Sequence, residues 1–213
     1  MLLVGLTGGV ASGKSAVVRL LAARGAAVCD ADQVVHELYL PAGAGTRAVR
    51  ELFGEAMLAA NGGVDTAVLA ARALANQASR ERLEAAIHPL VRREIGSWLE
   101  SLSAGDPARA VAVVEAALLV ETGSFRAYHR LVVVSAPEHE RRRRALAAGW
   151  SSERFERLLA AQLSDPEREA VADYVIRNDG DLLTLAAAVN ELWRPLQEDA
   201  ALLAAGLPLP ARR

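Results

Sequence analysis

Residues 8–15 read Gly8-Gly9-Val10-Ala11-Ser12-Gly13-Lys14-Ser15, a full match to the phosphate-binding pattern GxxxxGK[ST]. Such a loop needs glycines so that backbone N–H groups can turn inward around an anion, and it needs a strand before it and a helix after it to hold the turn. Both flanks are present: Leu2-Leu3-Val4-Gly5-Leu6 has the apolar run of a buried strand, and the stretch from Ala16 to Ala23 has the pattern of a helix. Lys14 is the chain's only lysine; every other basic side chain besides the histidines is arginine. A slim ammonium can lie along the loop and touch phosphates as a point charge, where a planar guanidinium does not fit. Gly8, Gly9, Val10, Ala11, Ser12, Gly13, Lys14, Ser15 and Ala16 are therefore the expected cradle for the phosphates of ATP. The Ser15 hydroxyl is the expected ligand of the accompanying Mg²⁺.

A chain of 213 residues with 52% hydrophobic content accommodates one α/β core with a helical excursion, not two full catalytic domains. The formal net charge of −2 supplies no global field for nucleic acid or an anionic membrane, so neither partner is expected and any anion site must be local. Cys29 is the only cysteine, which excludes an internal disulfide and fits a reducing compartment, so a cytoplasmic location is expected. The apolar start from Met1 to Leu6 lacks a basic flank and runs straight into the glycine loop, the mark of a core strand and not of a signal peptide. No stretch approaches the length of a membrane span.

Further strands are expected at 26–29, 110–114, 131–134 and 174–176. Their apolar runs are continuous, as for parallel strands covered on both faces. The second strand leads into Asp30-Ala31-Asp32, which puts both carboxylates at the strand's C-terminal end, the rim where open α/β sheets bind ligands. Residues 33–102 read as helix broken by glycine-rich turns, and Pro89 is expected to bend or break the longest of these helices. The last helix is expected from about Asp181, and the tail from Ala200 to Arg213 reads as weakly ordered. The fold class is α/β: a P-loop NTPase-type, five-stranded parallel sheet flanked by helices, with a helical acceptor-binding insertion and a helical lid. Its parts are a core of residues 1–32, 106–136 and 171–199, an insertion at about 33–105, a lid at about 137–170 and the tail at 200–213.

The sole lysine leaves no room for the Asn-Lys-x-Asp guanine element of GTP switches. Small-molecule kinases need a phosphate cradle, an acidic group at the acceptor hydroxyl, an acceptor-binding insertion and a basic lid. Asp30 and Asp32 offer one carboxylate to orient or deprotonate a hydroxyl and one to hold hydrated Mg²⁺; the structural alternative is that an Asp here caps the next helix.

The phosphate loop, Asp30-Ala31-Asp32, His88-Pro89, Leu118-Leu119-Val120-Glu121, Gln162 and the run from Ala172 to Gly180 stand in the order found in dephospho-CoA kinases, and the chain resembles that family over residues 2 to about 195. The resemblance implies transfer of the ATP γ-phosphate to the ribose 3′-hydroxyl of dephospho-CoA, giving coenzyme A. It implies Asp32 as the base at that hydroxyl, Asp30 and Ser15 at Mg²⁺, and His88 and Leu118 at the acceptor. Asn178 is implied near the adenine, and Arg143 as the lid arginine at the transferring phosphoryl group.

For His88 the alternative is a structural hydrogen bond where Pro89 interrupts the helix. In the lid, Ser135 is the expected helix cap with Pro137 in the first turn, and Glu138–Arg142 and Glu140–Arg144 are the expected ion pairs, leaving Arg143 without one. A second lid arginine usual in the family is replaced by Ala147, for which Arg144, Arg154 or Arg157 are the candidates to compensate. Ala117 stands where the family has proline, and Ala11 replaces a usual glycine, which requires a negative φ to be tolerated. Arg168 reads equally as a phosphate contact or as a solvated helix charge. A P-loop kinase of another small hydroxylated acceptor and a non-catalytic ATP-binding regulator are the competing functions.

Overall fold

The computed structural model describes residues 1–74, 76–105 and 110–212. Residues 106–109, assigned above to the core, and Arg213 of the tail lie outside the described residues. In chain order the regular elements are β1 (Leu2–Gly8), α1 (Lys14–Ala22), β2 (Ala27–Asp30), α2 (Ala31–Leu38), α3 (Ala44–Phe53), α4 (Thr66–Leu74), α5 (Gln77–Gly105), β3 (Val111–Glu115), β4 (Arg130–Ser135), α6 (Glu138–Ala147), α7 (Ser152–Ala160), α8 (Asp165–Glu169), β5 (Tyr174–Arg177) and α9 (Leu182–Ala204).

The strands form one parallel sheet in the order β2-β3-β1-β4-β5. Its centre is covered on both faces, which is why the strands read as unbroken apolar runs and not as alternating ones. In β4, Val132 and Val134 share a core with Val4 of β1, Val17 and Leu21 of α1, and Val189 and Leu196 of α9, while Leu131 and Val133 join Leu119 and Phe125 on the opposite face.

The chain divides into two compact units, one of residues 30–101 and one of residues 1–29 with those from 102 onward. The first has its own core of Val49, Met57, Leu69 and Ile87, with Leu83, Leu90 and Val91 packed against it. Helix α5 carries Pro89 in its interior without being broken there. Of the two outcomes expected at Pro89, a bend or a break, the break does not occur. The helices α6, α7 and α8, expected to form a lid, belong to the same compact unit as the sheet.

The tail is not loose. Helix α9 runs on to Ala204 with Asp199 and Ala200 buried, because Arg130, 5% exposed at the start of β4, binds Asp199 through Nε at 2.6 Å and Nη2 at 3.2 Å. Arg130 Nη2 also donates to the carbonyl of Pro210 at 3.1 Å, Leu209 packs on the main core, and Arg212 donates to the carbonyls of Phe125 and Tyr128. The composition of the segment suggested freedom; a buried ion pair and carbonyl acceptors hold it down.

Candidate active site

The phosphate loop leaves the C-terminal end of the central strand β1 and enters α1 at Gly13. Gly13 has φ 96°, a left-handed conformation that L side chains rarely adopt, and a Cβ there would strike Asn178 Nδ2. The approach has a purpose: Asn178 Nδ2 donates to the Ser12 carbonyl at 2.8 Å, and Arg144 donates to the same carbonyl at 3.5 Å and to the Asn178 carbonyl at 2.9 Å. Lys14 Nζ lies along the loop, 3.2 Å from the Gly8 carbonyl and 3.4 Å from that of Gly9. Gln162 accepts the Val10 N–H at 2.7 Å and donates to the Ala117 carbonyl at 3.1 Å, tying the loop to the segment after β3.

Ala11 departs from the expectation. Its φ is +56°, so the residue that replaces a glycine sits in the left-handed region, at a cost of about 1–2 kcal/mol. It packs against the buried cluster of Val10, Ala145 and Phe155, burial that offsets part of that strain.

Helix α6 differs from the sequence expectation in three respects. Its N-cap is Pro137, with Ser135 remaining in β4. Glu140 pairs with Arg143 at 2.6 Å and not with Arg144, so Arg143 has a carboxylate partner and is 68% exposed. The Arg143 hydrogen bond holds the Glu140 carboxyl below the usual range. The arginines that reach the phosphate loop are Arg144 and Arg141, the latter 4% exposed. Arg168 is fully buried and also lies against Gly9, which removes the reading of a solvated helix charge. Glu138–Arg142 forms as expected at 3.1 Å.

Gly8, Gly9, Val10, Ala11, Ser12, Gly13, Lys14, Ser15, Ala16 and Asn178 thus lie in one continuous stretch of loop, helix start and clamp. Ser15 is exposed in the first turn of α1. Leu118 lies after β3, is 41% exposed and is in the same unit. Asp30, Asp32 and His88 belong to the 30–101 unit. Asp30 is a helix cap: its Oδ1 accepts from Asp32 N at 2.9 Å and Gln33 N at 3.2 Å. Asp32 is exposed in the first turn of α2, and His88 is half-buried on α5.

Sequence reasoning gave no role to Arg141, Gln162 or Asp165. A signal for Arg141 existed: Ala145 follows it by four residues, and the two share the buried face of α6.

A phosphate loop on the central strand of a 2-3-1-4-5 parallel sheet, with arginines brought to it from the helices behind β4, defines a P-loop kinase. The dephospho-CoA kinase family model matches residues 2–184. The dephospho-CoA kinase of Thiobacillus denitrificans is 42% identical over 194 residues, covering 90% of this chain and 94% of the relative. That of Methylococcus capsulatus is 42% identical over 195 residues, covering 91% and 96%. A crystal structure from Thermus thermophilus matches with a TM-score of 0.74 at 31% identity, covering 92% of this chain and 97% of that one. The chain belongs to the dephospho-CoA kinase family. Its activity is that of a dephospho-CoA kinase, a phosphotransferase acting in the final step of coenzyme A biosynthesis.

Proposed function

We propose that the chain transfers the γ-phosphate of ATP to the ribose 3′-hydroxyl of dephospho-CoA, in the cytoplasm, with the residue roles that follow. The bond from the γ-phosphorus to the β–γ bridging oxygen breaks, a bond from the 3′-oxygen to the same phosphorus forms, and the hydroxyl proton passes to Asp32. The observation that carries the ATP half is the loop geometry: Lys14 extended along the Gly8 and Gly9 carbonyls, with the helix start of α1 behind it. Asn178 holds the loop's conformation through Ser12 and borders the nucleotide's base.

Asp32 is the general base, as the second carboxylate of the pair; the first, Asp30, spends Oδ1 on capping α2. Mg²⁺ would be carried in by the nucleotide, and the Ser15 hydroxyl, exposed at the helix start, is an oxygen donor that fits it. Ser15 and Asp30 are its proposed protein ligands, and when bound it neutralises charge on the β- and γ-phosphates. His88 and Leu118 contact the acceptor. Arg143 serves the phosphoryl group by exchanging Glu140 for it.

The test is product analysis after incubation with ATP, Mg²⁺ and dephospho-CoA. Coelution with coenzyme A and a phosphorus resonance coupled to the 3′ position support the reading; a 2′-phosphate contradicts it.

A further inference from the structure

Arg141 and Arg168 come from different helices, α6 and α8, and converge on Gly9: a Cβ at Gly9 would lie 2.5 Å from Arg141 Nη1 and 2.9 Å from Arg168 Nη2. The two cations share one carboxylate. Arg141 Nη2 donates to Asp165 Oδ2 at 3.2 Å, and Arg168 Nη2 donates to Asp165 Oδ1. Arg141 Nε is taken by the Ala136 carbonyl at 3.0 Å, and Arg168 Nη1 by Glu121 Oε1 at 3.4 Å, with Glu121 Oε1 further fixed by the Leu163 N–H at 3.1 Å.

After this accounting each guanidinium keeps a buried donor with no acceptor, Nη1 of Arg141 and Nε of Arg168. A buried unpaired donor on a charged group is costly and calls for an explanation; Glu121 Oε2, on the carboxylate that already takes Arg168 Nη1, is likewise without a partner, whereas Arg141 Nη1 lies directly over Gly9, where an anion on the loop would supply an acceptor. Planar guanidiniums held in fixed orientation by shared carboxylates match a phosphate, and both abut the residue of the phosphate loop that precedes Val10.

We propose that Arg141 and Arg168 form a second anion clamp on the loop, specific for the terminal phosphate of ATP, and that Asp165 is the positioning residue that aims both. The pair supplies the charge that Ala147 cannot. The proposal rests on the phosphate-loop reading above but not on the identity of the acceptor.

Calorimetric titration of wild type, Arg141→Gln and Asp165→Asn with ATP and with ADP tests it, alongside KM for dephospho-CoA. The clamp predicts that Arg141→Gln lowers ATP affinity about tenfold or more with ADP affinity changed less than about twofold. Asp165→Asn, which keeps both cations, shows the same selective loss to a smaller degree, and it carries the test alone if Arg141→Gln does not fold. Parallel loss of ATP and ADP affinity, no loss of either, or a change confined to the dephospho-CoA KM overturns the proposal. Wild type without acceptor-dependent turnover counts against the reading above and leaves the ATP-against-ADP comparison standing.

Discussion

Lys14 carries a burden that no other residue can share, since it is the only ammonium side chain in a protein otherwise furnished with arginine. Lys14→Ala is expected to lose most phosphoryl transfer while the circular dichroism spectrum and thermal midpoint stay near wild type; wild-type turnover would remove the loop from the mechanism. Asp32→Asn is expected to lower kcat far more than ATP affinity, because its proposed task is at the acceptor hydroxyl. Equal losses of both would reassign it to Mg²⁺ or to structure. At this scale the phosphate loop was legible from sequence because its spacing is dictated by backbone geometry around an anion. The arginines were not. Four consecutive arginines at 141–144 have the same chemistry, and which of them turns inward depends on where α6 starts; the helix begins after Pro137 and not at Ser135, and Glu140 takes Arg143 in place of Arg144. The positive φ of Ala11 is hidden for a related reason, since the residue packs on a cluster that includes Ala145 and Phe155 from a segment distant in sequence.

Among the elements, β4 and α9 are joined by Arg130 and Asp199, which are 5% and 7% exposed. Removing Asp199 takes two charge-assisted hydrogen bonds from Arg130 but leaves it Asp173 Oδ1 at 3.9 Å and the Pro210 carbonyl, so Asp199→Ala is expected to cost about 2–3 kcal/mol of stability in denaturant titration. A loss below about 1 kcal/mol would show the pair to be water-accessible. His129, next in the chain, accepts the Leu3 N–H at Nδ1, 2.9 Å away. Partial burial, the N-terminal ammonium, Arg130 and Arg212 all push its pKa below the ordinary 6.5. As pH falls the unfolded chain therefore takes up this proton first. The His129 contribution is complete above about 6.5 and is lost as pH drops through the lower folded value. His129→Gln should flatten the decline in thermal midpoint between about pH 7 and pH 5, and an unchanged slope would place the acid lability elsewhere. The strands themselves were visible in the sequence to within a residue or two, since runs such as Leu131-Val132-Val133-Val134 are apolar on both faces. The tail was not, because nothing local announces that Arg130 will donate to partners about seventy to eighty residues later.

For the whole molecule, the parallel sheet and its phosphate loop follow from the order of strands and helices, and the acceptor class follows from the family. Among the described residues no helix is long and apolar enough to cross a membrane. What distinguishes this kinase from others with the same core is which hydroxyl receives phosphate, and a panel of acceptors resolves it. ADP release from ATP and Mg²⁺ would be followed with dephospho-CoA, adenosine, shikimate or gluconate as sole acceptor, with the mass of each product determined. Turnover is expected with dephospho-CoA, with the gain of one phosphate on that molecule. Turnover with another acceptor in its place, or ATP binding with no acceptor-dependent turnover, would contradict it.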